Sequence, residues 1–139
     1  MGIHPSEEEI RALLKSSRTV AVVGLSDDPR RPSHGVARAL QQFGFRIFPV
    51  NPNLDGPVLG ENPYASIEEI PEQVDIVDVF RRSEKVVPAA QSAVAAGAKV
   101  LWLQLGVVNG EASRLAAENS LTVIEDRCIK VDYVSLVGR

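Results

Sequence analysis

At 139 residues and 15.0 kDa the chain has the length of one domain, enough to bury about 68–70% of the surface its unfolded form exposes. Hydrophobic residues make up 45% and charged residues 24%, with 10 Gly and 9 Pro, which excludes disordered, coiled-coil and collagen-like chains. A formal net charge of −3 argues against a general binder of nucleic acid or anionic membrane, and one cysteine, Cys128, excludes an internal disulfide and a multi-cysteine zinc site.

The opening MGIHPSEEEI is acidic and polar where a secretory signal is basic and then apolar. No apolar run approaches the roughly 20 residues that cross a bilayer, so a cytoplasmic protein is expected. Ser6-Glu7-Glu8-Glu9 has the form of a capping box. With Ile10, Leu13 and Leu14 as a narrow apolar stripe behind it, it predicts a helix over 6–17, an arm laid on the body of the domain. Thr19–Gly24 (TVAVVG) is a first strand, apolar on both faces, as a central parallel strand is. Ser33–Phe43 follows as a helix stopped by Gly44, and Arg46–Val50 (RIFPV) is a second strand whose Pro49 removes a ladder donor. Asn51–Asn62 is a Pro-, Gly- and Asn-rich loop, and Ser66–Ile70 adds a helical turn. Val74–Phe80 is the third strand and Pro88–Ala96 a small-residue helix ended by Gly97. Lys99–Gln104, Gly110–Glu118 and Leu121–Glu125 are the fourth strand, a helix and the fifth strand, with a closing turn and short helix over 126–139.

Strands alternating with helical segments imply crossover units and hence an α/β fold, a mostly parallel five-stranded sheet with helices on both faces. The expected order is 3-2-1-4-5, as one domain over residues 1–139, with the ligand crevice above the C-terminal strand ends. Gly24 lets backbone approach a ligand there, Ser26 offers a hydroxyl, and Ser33 opens a helix whose free amides favour an anion. Arg30 and Arg31 before that helix, and Arg81 and Arg82 after the third strand, bring two basic pairs to one crevice. That suggests a polyphosphate ligand, although Asp27 and Asp28 can neutralise the first pair. Asn51 and Gln104 can read amide or adenine edges, while Pro52, Phe80 and Val87 can sandwich a planar ring. There is no G-x-x-x-x-G-K-[ST] for a P-loop and no G-x-G-x-x-G. Nor does a carboxylate end the second strand to hold the ribose of NAD, since that strand closes Pro49-Val50-Asn51-Pro52.

The segments VAVVGLSDDPRRPSHGVARAL, IFPVNPNLDGPVLGENPYASIEEIP, VDIVDVFRRSE, GAKVLWLQLGVVN and EDRCIKVDY, in this order over about residues 5–135, together resemble the small stand-alone CoA-binding domain proteins, the YccU-like group. That group is related to the N-terminal domain of the succinyl-CoA synthetase α subunit. The resemblance implies a Rossmann-like fold with coenzyme A across the C-terminal strand edge. It further implies phosphate contacts from Gly24, Leu25, Ser26 and Arg30-Arg31-Pro32-Ser33, a nucleotide flanked by Val50, Asn51 and Pro52, adenine and ribose phosphate bordered by Phe80, Arg81, Arg82 and Val87, and Gln104 on the floor near the pantetheine. His34 stands where the family pattern suggests an aromatic residue. The implied protein is a CoA or acyl-CoA binder without catalysis of its own, a carrier, sensor or partner subunit, with a protein partner or a homo-oligomer open and no nucleic acid or membrane. The rivals are an enzyme acting on a CoA thioester through Cys128 or His34, and an NAD(P)-binding regulatory domain.

No Ser–His–acid set and no metal-ligand spacing can be assembled from the chain. Cys128 reads as a buried inert thiol, Trp102 as core, and Asp78, deep in the third strand, requires a buried partner.

Overall fold

The computed structural model describes residues 4–138. Its centre is a five-stranded, wholly parallel sheet formed by β1 (Thr19–Val23), β2 (Arg46–Val50), β3 (Ile76–Val79), β4 (Val100–Leu103) and β5 (Thr122–Ile124). All four residues of β3 and of β4 are buried, which is why these runs are apolar without alternation. Successive side chains leave opposite faces. Ala21, Val23, Val77, Val79, Leu101 and Leu103 pack under α3 (Val87–Ala95) and α4 (Gly110–Glu118). Val20, Val22, Ile76, Val100 and Trp102 pack under α1 (Glu7–Ser16), α2 (Pro32–Gln42) and the short α5 (Ile129–Asp132). This is the expected Rossmann-like α/β sandwich with helices on both faces.

The strand order is β2-β1-β3-β4-β5, not 3-2-1-4-5: β3 inserts between β1 and β4 and leaves β2 on the edge. Pro49 supplies a physical reason. A proline within β2 has no amide for a second neighbour, and an edge strand needs none. Its carbonyl is used instead by the amide of Tyr64 at 2.9 Å, and the Asn51 amide donates to the Tyr64 carbonyl at 3.0 Å. The reversal of winding therefore lies between β1 and β3, and the crevice opens above their C-terminal ends.

The ends of the elements follow local chemistry. Ser6 Oγ accepts from the Glu9 amide at 3.1 Å while Glu9 Oε1 accepts from the Ser6 amide at 2.7 Å, completing the capping box on α1. At the entrance of β3, burial alone raises the Asp75 carboxyl, but the amides of Arg18 (2.7 Å) and Thr19 (3.2 Å), with Lys99 Nζ at 3.5 Å, outweigh it and hold the group below its ordinary range. The C-terminal segment is latched by aromatic packing: Tyr133 stacks on Phe43 at 4.2 Å between ring centroids and meets Phe45 edge-on at 5.7 Å. Trp102 is fully buried and its indole N–H donates to the Arg127 carbonyl at 2.8 Å. Among the described residues no helix is long and apolar enough to cross a membrane.

Candidate functional site

The site is built on a close approach of backbone. Gly24, directly after β1, donates its amide to the Val50 carbonyl at 2.8 Å, while the Phe80 amide donates to the Val23 carbonyl at 2.8 Å. Gly24 has φ +86°, and a Cβ there would stand 2.2 Å from the Phe80 carbonyl oxygen. Only glycine fits, because the chains leaving β1 and β3 run in contact and the turn needs a left-handed residue. The loop that follows is closed by its own serines: Ser33 Oγ accepts from the Ser26 amide and Ser26 Oγ from the Asp28 amide, each at 3.0 Å. Each hydroxyl keeps its own proton to donate. The start of α2 has Pro32 in its first turn and no side-chain cap, so its dipole is uncompensated.

Two clefts meet at this point. The larger, about 760 Å³, runs from Gly24, Ser26 and the Arg31-Pro32-Ser33 start of α2 past Phe80, Arg81 and Arg82 to Gln104, Leu105, Val107 and Cys128. The smaller, about 440 Å³, lies toward β2 and α3 and includes Val50, Pro52, Ile67, Lys85 and Pro88. Arg81 lines both. Arg31, Arg81 and Arg82 and a helix start without a side-chain cap thus line the cleft that holds Gly24, an anion-attracting arrangement in an acidic chain, with Arg82 also 3.7 Å from the Glu84 carboxylate.

Not every expected site residue takes part in these clefts. Arg30 turns back on Asp28 as a bidentate pair, with Nε at 3.1 Å and Nη2 at 3.0 Å, and its side chain is 90% exposed and lines neither cleft. The hydrogen bonds from Arg30 hold the Asp28 carboxyl below its ordinary range. Asn51 is not free to read a base edge: Nδ2 donates to the Leu25 carbonyl at 3.1 Å and Oδ1 accepts from the Asn53 amide at 3.0 Å. Leu25 is wholly buried in the core, and Val87 packs against the α3 face of the sheet without lining either cleft. His34 is half-buried and lines neither. Cys128 is half-buried and faces the larger cleft, so it is less enclosed than the sequence suggests.

Not all the other lining residues were legible in advance. The Ala65–Ile67 stretch depends on how the long connection from β2 to β3 folds back, which no local pattern encodes, whereas Lys85 and Pro88 follow β3 at the turn into α3, on either side of the expected Val87. Val36 had a signal, three residues after Ser33 on the buried side of α2, and so had Leu105 and Val107, directly after the fourth strand. Asp78 has no partner: it is fully buried on the α1/α2/α5 side, between Val22 and Trp102 in register, and neither carboxylate oxygen has a hydrogen bond among the described residues. Burial pushes its carboxyl well above the ordinary range.

The family model of the CoA binding domain matches residues 18–134. The chain belongs to this CoA-binding domain family. Across 94% of its length it is 47% identical to the uncharacterized protein YneT of Bacillus subtilis, covering 96% of that protein. A solved structure described as a hypothetical protein from Pyrococcus horikoshii superimposes with a TM-score of 0.94 at 33% identity, over 98% of this chain and 95% of that one. A shorter stretch of 60 residues, 42% of this chain, is 37% identical to 13% of the α subunit of an ADP-forming acetate–CoA ligase of Pyrococcus furiosus. The chain thus spans nearly the whole of one relative of its own size and matches a small part of a CoA ligase subunit.

Proposed function

We propose that this protein binds coenzyme A or an acyl-CoA along the C-terminal edge of the sheet and acts as a carrier, sensor or partner subunit. The observation that carries the reading is the junction at Gly24 and Arg81, where an anion-attracting spot joins two clefts of different character. Coenzyme A has the corresponding parts in the corresponding order: a planar base, a ribose phosphate, a pyrophosphate and a long pantetheine arm. In this reading the base lies among Val50, Pro52 and Pro88, and Lys85 faces the ribose phosphate. The pyrophosphate lies over Gly24 against Arg31, Arg81 and the hydroxyls of Ser26 and Ser33. The arm follows the larger cleft along Phe80 and Val107 toward Gln104. Membership of the CoA-binding domain family supports the ligand class, and the ligase relative supports the thioester context.

Calorimetric titration against CoA, NADH and ATP at equal concentrations tests the reading. CoA is expected to bind most tightly; preferential binding of NADH would overturn it. Arg81→Ala is expected to weaken CoA by about 1–3 kcal/mol, the range for a hydrogen bond to a charged group. Dephospho-CoA is expected to lose a comparable amount, because Arg81 stands beside Gly24 where both clefts meet. A loss confined to CoA would assign Arg81 to the ribose phosphate instead.

A further inference from the structure

At the far end of the larger cleft Gln104 is a buried residue, with only 5% of it exposed. Its orientation is decided by one bond: the Ile129 amide, at the start of α5, donates to Gln104 Oε1 at 3.1 Å. An amide N–H needs an oxygen acceptor, so the NH₂ end is the one left over. Among the described residues nothing accepts from it, and Nε2 is not among the fully enclosed polar atoms that lack a partner. It therefore opens on the cleft, a fixed donor in otherwise apolar surroundings of Phe80, Leu105, Val107 and Cys128. A buried donor without an acceptor is costly, so whatever fills this end of the cleft is selected for an oxygen at that point.

A free thiol is a poor partner for such a donor, being a weak acceptor, whereas the carbonyl oxygen of a thioester is a full one. We infer that Gln104 reads the thioester carbonyl, so that the site prefers acyl-CoA to free CoA and the natural ligand is an acylated form. This inference rests on the CoA reading above and adds to it the state of the thiol. Leu105 is 70% exposed beside Gln104, so the acyl group beyond the carbonyl would leave toward an open, apolar mouth, and small aliphatic acyl chains fit it.

The test compares three ligands on the unaltered protein: CoA, acetyl-CoA, and S-ethyl-CoA, which has the size of acetyl-CoA with a methylene in place of the carbonyl. Acetyl-CoA is expected to bind about tenfold more tightly than S-ethyl-CoA or CoA, a ratio in keeping with one satisfied buried donor. In Gln104→Glu, which keeps the oxygen for the Ile129 amide but has no NH₂, that ratio is expected to fall to about one, from the same hydrogen bond. Equal affinities for the three ligands on the unaltered protein would overturn the inference while leaving CoA binding intact. A tenfold preference that persists in Gln104→Glu would also overturn it, assigning the carbonyl to another group. Failure of all three ligands to bind would overturn the CoA reading itself.

Discussion

An Asp78→Asn variant is expected to gain stability over the natural protein as pH rises from about 4 toward neutral, where the ordinary carboxylate value marks the lower bound. Asp78 is buried on a central strand with both oxygens unpartnered, and burial holds its carboxyl in the protonated form well past the ordinary range. Below the unfolded value both states carry the proton, and pH has no leverage through this residue. Above it the unfolded chain releases the proton while the folded protein keeps it, so each pH unit shifts the balance toward unfolding by about 1.4 kcal/mol. The slope ends where the native carboxyl itself ionises. Asparagine has the same shape and does not titrate, so its own burial cost enters as an offset independent of pH. Asp75 acts in the opposite sense, contributing stability above its unfolded value that is lost as pH falls through its lowered native one. It is common to both proteins and cancels in the difference. Chemical denaturation of the two proteins from pH 4 to 8 measures that difference, and a constant value across the range would overturn the assignment.

Gly24→Ala is expected to be the most damaging small substitution in the site. Two costs coincide there: the left-handed backbone at φ +86° and the approach of the new Cβ to 2.2 Å from the Phe80 carbonyl oxygen. Gly44 shares the first without the second, with φ +106° and open space around its Cβ direction. Gly44→Ala is therefore expected to lose about 1–3 kcal/mol from backbone strain alone. Gly24→Ala adds a backbone clash that side-chain movement cannot relieve, worth about a further 1–3 kcal/mol. CoA binding is expected to be lost with it, since any relief must part the ends of β1 and β3 on which the pyrophosphate would rest. Urea denaturation of the two variants side by side separates the terms; equal losses would mean that the strand ends yield freely and that the close approach is not a constraint.

Much of this architecture is written locally. The Ser6–Glu9 capping box, the doubly apolar runs of the strands and the glycines after α2 and α3 each carry their own stop or start signal, and the structure uses them as such. Strand order is not local: it depends on which side of β1 the long connection after Val50 returns, and Pro49 was the one residue that spoke to it. Part of the basic cluster was legible for the same reason that part was not. Arg31, Arg81 and Arg82 converge because the strand ends bring their loops together, but Arg30 is satisfied two residues away by Asp28 in a turn that charge counting does not resolve. Gln104 and Arg81 were visible in the sequence as residues at strand ends, whereas the donor left by the Ile129 bond required the fold.

The edge position of β2 limits how copies of this protein can join. Pro49 lacks an amide, the segment at Tyr64 occupies the adjoining carbonyl and amide, and the opposite border, β5, is three residues long. Among the described residues each flank is therefore short or interrupted as a template for a strand from another molecule. The two borders of the sheet, among the described residues, are thus poor templates for a continuous intermolecular sheet.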